Sequence, residues 1–238
     1  SMGLSNTLFQ NSTGLPDGNH FSSAKDLATM TSLLINNFPE TYSLYKEKYY
    51  TFNNIRQPNR NRLLWKDNSS DGVKTGHTES AGYCLISSAK RNDMRLIAVV
   101  AGAKSDKERF NDTQRLLEYG FRFYSTQEVI KKDNALKEVT VWGGKKNLVS
   151  LGAENNIKLT LPRTTFKNIT ISYDFQNNLR APIKEGQNLG TLIIKDGEKI
   201  LHTENLVSLN DVEAKGFFGR LWASFVLWFR GLFGLGNA

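Results

Sequence analysis

Helical periodicity runs through the first half of this chain and stops near Thr126, and that break constrains the fold more than any other feature. Beyond it the apolar residues recur at every second position. Ile157-Lys158-Leu159-Thr160-Leu161 and Ile169-Thr170-Ile171-Ser172-Tyr173-Asp174-Phe175 alternate strictly, as strands do when one face is covered and the other is wet. Asp196-Gly197, between Leu192-Ile193-Ile194 and Lys199-Ile200-Leu201, is a two-residue hairpin signal. About five to seven short strands in about 80 residues predict a small β-sandwich.

Before the break, helices and strands are mixed. Residues 1 to 24 are rich in Asn, Ser, Thr and Gly, with Pro16-Asp17-Gly18 as a turn, and read as loop. Ser22 or Ser23 then caps a helix from Ala24 to Asn36, with Leu27, Met30, Leu33 and Leu34 on one face. Phe38-Pro39 ends it, and a short helical stretch is expected around Tyr42 to Lys48. Tyr50 to Ile55 reads as one short strand, and Asn59 to Trp65 as a polar turn running into a buried Leu63-Leu64-Trp65. Met94 to Ala101 is an almost unbroken apolar run, suited to a strand covered on both faces. Ser105-Asp106-Lys107-Glu108 has the form of a capping box, with Leu116, Leu117, Tyr119 and Phe123 expected on the buried face of the helix it opens. A β-rich layer against at least two helices is the antiparallel α+β arrangement.

The composition, 39% hydrophobic and 23% charged, is that of ordinary globular material. A net charge of +8 suits nucleic acid, an anionic membrane surface or a cell-wall polymer, but no nucleic-acid motif and no dominant run of like charge is present. Cys84 is the lone cysteine, which excludes an intramolecular disulfide and fits a small buried strand residue. Ser1-Met2-Gly3-Leu4 shows no apolar signal region.

Chemistry concentrates in Asp71-Gly72-Val73-Lys74-Thr75-Gly76-His77-Thr78 and the following Ser80-Ala81-Gly82-Tyr83-Cys84-Leu85-Ile86. Val73 to Thr78 reads as a strand and Gly82 to Ala89 as its hairpin partner. Lys-Thr-Gly on a sheet edge reads anions: a fixed ammonium, a hydroxyl that can donate to a carboxylate, and a residue without a Cβ to hold a ligand backbone away.

Taken with Gly14-Leu15-Pro16, His20-Phe21-Ser22-Ser23-Ala24-Lys25-Asp26, Asn59-Arg60-Asn61 and Tyr119-Gly120-Phe121-Arg122-Phe123, the stretch resembles the low-molecular-mass penicillin-binding proteins. Specifically, it resembles the D-alanyl-D-alanine carboxypeptidases that end in an amphipathic anchor. The resemblance runs over nearly the whole chain. It implies an α+β part of a transpeptidase-like domain at 1–126, an all-β stalk at 127–210, and a linker and anchor helix at 211–238. It further implies that Lys74 sets the electrostatics of a serine nucleophile, that Thr75 binds the substrate's terminal carboxylate, and that Gly76, His77 and Thr78 pair with or shape the pocket for the peptide. Arg60 and Arg109 match arginines near the active site, the latter implicated in holding the carboxylate, while His20 and Asp26 match scaffold beside the pocket. The implied substrate is the D-Ala-D-Ala end of peptidoglycan stem peptides, with β-lactams as competing ligands and no metal or organic cofactor.

Acyl transfer of this kind needs a serine with a lysine one helical turn later, and then an S-x-N, both upstream of K-T-G. Three S-x-x-K strings occur, at Ser22, Ser43 and Ser87. Ser87 follows Lys74 in a strand, where i and i+3 face opposite ways; Ser22 falls in the segment matching a loop and helix cap, and Ser43 on a peripheral helix. The sole S-x-N, Ser208-Leu209-Asn210, lies in the β-rich half. The expectation is therefore a C-terminal portion of such an enzyme, without nucleophile or base and inactive alone. The alternatives are a non-catalytic, membrane-tethered cell-wall binding module, or a β-lactamase.

The tail is different again. At about 100° per residue, Arg220 and Arg230 share a sector with Gly219, Ala223, Ser224 and Gly231, while Leu221, Trp222, Phe225, Trp228, Phe229, Leu232 and Phe233 fill the other side, preceded by Phe217 and Phe218. The two arginines break the apolar run into pieces too short to span a bilayer. The expectation is a helix lying in the interface, aromatic side down, and the resemblance implies that the membrane is the inner one and the face periplasmic.

Overall fold

The computed structural model describes residues 2–176, 178–217, 219, 221, 225, 226 and 229. The chain divides into two compact units, residues 1–125 and 126–238.

In the first unit, α1 (Ala24–Asn37) begins at Ser23, whose hydroxyl accepts from the Asp26 amide. Asp26 is buried, and its carboxylate accepts from the Asn6 amide at 2.8 Å and the Thr7 hydroxyl at 2.7 Å. The helix thereby tethers the segment before it. A bridge between Leu8 and Phe21 closes the intervening loop. α2 (Pro39–Ser43) follows, then a single 3-10 turn at Leu44–Lys46.

The expected single strand at Tyr50 to Ile55 is instead a hairpin, β1 (Tyr49–Phe52) and β2 (Ile55–Pro58). Asn53 and Asn54 turn it with φ of 48° and 61°. Asparagine tolerates that left-handed region, so the Asn-Asn pair was a turn signal inside an apparently continuous run. α3 (Leu63–Lys66) is one turn that buries Leu63 and Leu64 but leaves Trp65 exposed, edge-on to Tyr49. Three consecutive residues of a helical turn cannot all face inward.

β3 (Ser70–Thr78), β4 (Gly82–Arg91) and β5 (Met94–Ala103) form an antiparallel meander, with β3 at one edge. β5 is less covered than its composition suggests: Met94 and Ala98 are buried, whereas Leu96, Ile97, Val99 and Val100 are half-buried. α4 (Asp106–Phe123) is capped by Ser105, which accepts from the Glu108 amide, while the Glu108 carboxylate accepts from the Lys104 amide at 2.6 Å. The reciprocal bond of the box thus falls one residue early. The buried stripe of α4 is Arg109, Thr113, Leu117 and Phe121. Of the four residues expected there only Leu117 is covered; Leu116, Tyr119 and Phe123 are exposed. An arginine and a threonine on the inner face displaced the apolar pattern by a fraction of a turn. Leu63, Leu85, Ala89, Met94, Ala98, Leu117 and Phe121 make the core, each fully buried leucine stabilising it by about 1.5–3 kcal/mol. Helix and sheet approach closely at Gly120, where a Cβ would stand 2.4 Å from Leu96 Cδ1.

The second unit holds a six-stranded sheet in the order β10-β12-β13-β8-β7-β11 and a two-stranded sheet, β6-β9. Their ranges are β6 Tyr124–Ile130, β7 Lys137–Trp142, β8 Leu148–Ala153, β9 Ile157–Pro162, β10 Ile169–Phe175, β11 Leu179–Arg180, β12 Asn188–Asp196 and β13 Lys199–Ser208. Ile130 and Ile157 from the small sheet share one apolar core with Val141, Val149, Leu151, Leu192, Ile194 and Leu206 from the large one. The β12–β13 turn is Gly197-Glu198, one residue later than Asp196-Gly197, because Asp196 still pairs with Lys199. The whole is a mixed α+β unit followed by an all-β unit.

The Asp26 tether carries a pH dependence. The Thr7 hydroxyl bond, with the Asn6 amide, outweighs burial and holds the carboxyl below its ordinary value of 3.8. A depressed folded value means that the contribution is complete above the unfolded pKa and lost as pH falls through the folded one. Protection of the amides in residues 5–9, taken as their exchange relative to the intrinsic rate at each pH, should therefore be high at pH 7 and fall below about pH 4, and Asp26→Asn should remove most of that pH dependence.

Candidate functional site

β3 lies at the edge of its sheet, and a groove of about 780 Å³ runs along it. Lys74, Thr75, Gly76, His77 and Thr78 form one wall, and Arg60 and Arg109 also line it. The opposite wall comes from Phe9, Asn11, Ser12, Thr13, Gly14 and His20. All seven residues expected from the sequence at the substrate therefore meet in one place. No aspartate or glutamate lines the groove, so its field is positive and suits a carboxylate.

The root of β3 is fixed by a buried polar network. Asp71 accepts from the Tyr42 hydroxyl at 2.7 Å and from both terminal nitrogens of Arg95 at 2.8 Å. Burial, reinforced by the Asp71 carboxylate, pushes the Tyr42 phenol far above its ordinary value of 10, and the Asp71 hydrogen bond raises the Arg95 guanidinium above its ordinary value. Tyr42 therefore stays neutral and Arg95 charged across the physiological range. A Cβ at Gly72 would stand 3.0 Å from the Tyr42 hydroxyl, so the backbone passes close against this network.

Farther along, Lys74 Nζ donates to the Thr75 carbonyl at 2.5 Å, and no carboxylate pairs with it among the described residues. Its ammonium is free to meet an anion. Thr75 is nine-tenths buried, with the groove on its exposed side. His77 stacks on Tyr83 at 3.9 Å between ring centroids, and its Nδ1 donates to the Gly82 carbonyl at 3.2 Å. That bond fixes the ring across the mouth of the hairpin.

Arg109 is 6% exposed and its donors are committed. One terminal nitrogen donates to the carbonyls of Gly76 and Cys84, at 2.8 and 3.2 Å, and the other pairs with Asp106, which also holds Arg62 at 3.0 Å. The residue borders the groove while cross-linking β3, β4 and α4. Arg60, in contrast, is exposed. Its neighbours Asn59 and Asn61 turn inward: Asn59 Nδ2 donates to the Glu47 carbonyl at 3.0 Å, and Asn61 Nδ2 to the Gly72 carbonyl at 2.9 Å. Alternation of two bonded asparagines with one free arginine presents the guanidinium to the groove.

Of the facing wall, sequence reasoning placed only His20 beside the pocket, as scaffold, and read Phe9 to Gly14 as loop. Asn11 Oδ1 accepts from the amides of Thr13 and Gly14 and from the Thr13 hydroxyl, folding a stretch that reads only as polar loop. The Asn-x-Thr-Gly pattern was the available signal, since asparagine bonds backbone two residues on. His20 Nδ1 accepts from the Gln10 amide at 3.2 Å and the ring leans on Phe9. None of the three S-x-x-K serines lines the groove. Ser22 bonds Thr7, Ser43 donates to the Glu40 carbonyl, and Ser87 donates to the Gly72 carbonyl. Ser208 donates to the Asn210 carbonyl within the β unit. Among the described residues no cluster of His, Cys, Asp and Glu could hold a metal ion.

Of the tail positions, Phe217, Phe225 and Phe229 are described, with helical backbone and exposed rings, as is Leu221. Phe218, Arg220, Trp222, Trp228, Arg230 and Phe233 lie outside the described residues. Among the described residues no helix is long and apolar enough to cross a membrane.

Comparison with known proteins follows the same division. Residues 1–105 match the family model described as D-alanyl-D-alanine carboxypeptidase, and residues 124–214 match the C-terminal domain of penicillin-binding protein 5. The chain is 46% identical over 235 residues to D-alanyl-D-alanine carboxypeptidase DacC of Escherichia coli, covering 98% of this chain and 59% of that protein. It is 41% identical to DacA of Haemophilus influenzae, over 97% of this chain and 60% of the relative. Crystal structures of penicillin-binding protein 5 from Haemophilus influenzae superpose with a TM-score of 0.76 at 40% identity, covering 89% of this chain and 62% of that one. The chain belongs to the D-alanyl-D-alanine carboxypeptidase family, with an all-β unit of the penicillin-binding protein 5 type. It spans about three fifths of the length of the curated relatives it matches.

Gly76 gives a direct test of the groove. A Cβ there would meet nothing nearer than Cys84 Cβ at 3.9 Å, so the fold itself does not demand glycine. Gly76→Ala should leave the urea midpoint nearly unchanged, within the ±0.5 kcal/mol usual for surface substitutions. Labelling of the full-length protein by a fluorescent penicillin should nevertheless fall by about tenfold or more, as expected for a clash worth over 1.4 kcal/mol at the ligand.

Proposed function

We propose that the protein containing this chain is a serine-type D-Ala-D-Ala carboxypeptidase, which removes the terminal D-alanine from peptidoglycan stem pentapeptides and is acylated by penicillins. The observation that carries this reading is the Lys74-Thr75-Gly76 edge strand beside a groove lined by cations and free of carboxylates. An extended peptide adds to such an edge as a further strand. Thr75 and Arg60 would receive its terminal carboxylate, with Lys74 holding positive charge beside the nucleophile. The serine oxygen attacks the penultimate carbonyl, the terminal D-alanine leaves, and water hydrolyses the resulting ester. Nucleophile and base come from outside these 238 residues, because the serines of its S-x-x-K strings are spent on structural hydrogen bonds away from the groove.

Labelled penicillin separates the readings. The full-length protein should be labelled stoichiometrically and this chain not at all, and Lys74→Ala should slow acylation of the full-length protein by roughly 10²- to 10⁴-fold, the range of a positioned proton-transfer or electrostatic group. A full-length protein that binds peptidoglycan without being labelled would be a non-catalytic wall-binding module. Rapid turnover of a chromogenic cephalosporin would make it a β-lactamase.

We further infer that residues 216–238 lie in the surface of an anionic membrane, on the periplasmic side, with the unit at 127–210 as a stalk. Supporting this, Phe217, Leu221, Phe225 and Phe229 follow one another at four-residue spacing and all are exposed. Burying them at about 25 cal/mol per Å² supplies several kcal/mol of attraction, to which Arg220 and Arg230 add on anionic lipid. Deleting 216–238 should abolish co-sedimentation with anionic vesicles, and the Arg220→Glu, Arg230→Glu pair should weaken it in a salt-sensitive way. Undiminished sedimentation of the truncated protein would assign the tail to a protein interface instead.

A further inference from the structure

Two side chains with no part in the proposed chemistry meet at one atom. The Gly72 carbonyl accepts from Asn61 Nδ2 and from Ser87 Oγ, each at 2.9 Å, and both donors belong to residues that are 0% exposed. A carbonyl oxygen has two lone pairs, so this acceptor is saturated. Asn61 is itself held on two further sides: its amide donates to Asn59 Oδ1 at 2.9 Å, and its own Oδ1 accepts from the Leu63 amide at 3.2 Å. Ser87 is likewise held, lying opposite Val73 in the β3–β4 register and bonded to Ser70.

The covalent neighbours of this clamp are the two groove cations without an ion-pair partner among the described residues. Arg60 precedes Asn61 directly, and Lys74 follows Gly72 by two residues. The Asn61–Gly72 bond is thus the short connection between the loop that carries Arg60 and the strand that carries Lys74. Ser87 ties the same carbonyl to the neighbouring strand and sets its direction.

We propose that Asn61 and Ser87 are positioning residues that set the separation of Arg60 and Lys74, and through it the selection of ligands bearing a carboxylate. This rests on the reading above, in which the groove receives a carboxylate. Coulomb attraction falls with distance, and a bidentate contact requires its donors at fixed spacing. Slackening the clamp therefore weakens recognition of the charged group and leaves the reactive amide of the ligand recognised as before. Ser87 thereby acquires a use that its S-x-x-K setting does not suggest.

The experiment compares two ligands on the full-length protein: a penicillin, and the same penicillin with its carboxylate converted to the neutral carboxamide. The ratio of their second-order acylation constants reads carboxylate selection. A merely structural role lowers both constants together and leaves the ratio alone. Asn61→Ala and Ser87→Ala should each reduce the ratio about three- to tenfold, the effect of losing one hydrogen bond. The double variant should fall short of the product of the two, because they act through one acceptor. Ser87→Thr, which keeps the hydroxyl, should restore the ratio, and Ser87→Ala carries the test by itself if Asn61→Ala does not fold. A wild-type ratio in every folded variant would overturn the proposal while leaving the carboxypeptidase reading intact. A wild-type protein that neither ligand acylates would overturn both.

Discussion

A single buried guanidinium holds the first unit's working edge together. Arg109 projects from α4 and donates to backbone carbonyls on two adjacent strands, Gly76 on β3 and Cys84 on β4, while Asp106 balances its charge. Burying an arginine is costly unless every donor is used and the charge is paired. Here the charge is paired with Asp106 and both terminal nitrogens are bonded. The helix, the edge strand and its neighbour are consequently fixed relative to one another at the residue where a ligand backbone would lie. A lysine could not replace it, since a point charge cannot span two carbonyls and a carboxylate at once.

The same economy recurs along β3. Its root is held by Asp71 between Tyr42 and Arg95, its Gly72 carbonyl by Asn61 and Ser87, and its far end by His77 stacked on Tyr83. Polar groups inside this unit are satisfied, and no buried side-chain nitrogen or oxygen among the described residues is left without a partner. An edge strand is otherwise the most compliant part of a sheet. Supported at three points, it becomes a rigid wall, and rigidity is what a site that aligns a carboxylate and a reacting carbonyl requires.

The second unit answers a different physical demand. Its alternating strands bury Val141, Val149, Leu151, Leu192, Ile194 and Leu206 in one apolar core. Residues 124–214 of the chain, most of this unit, match the C-terminal domain of penicillin-binding protein 5.

Period and residue type, which are local properties, determined a good deal by themselves. Strict alternation located β9 and β10, the Ser-x-x-Glu pattern located the start of α4, and the apolar run located β5, because side-chain direction in a strand or helix follows directly from position. The Lys-Thr-Gly tripeptide was legible as an anion-reading device for the same reason, since its chemistry travels with it, whereas Arg60 was placed near the site only through the family resemblance. What only the tertiary structure decided depends on groups distant in sequence. Arg109 could be read as a surface charge until α4 was laid across β3 and β4, and the inner face of α4 was misjudged because Arg109 and Thr113 occupy it in place of Leu116 and Tyr119. Asn53-Asn54 reversed a run that composition alone read as one strand, since a positive φ is a backbone property that side-chain pattern does not carry. The facing wall, from Phe9 to His20, enters the groove only because Leu8 pairs with Phe21 and Asp26 holds Asn6 and Thr7. Hydrogen bonds of that reach are fixed by packing, and no local periodicity records them.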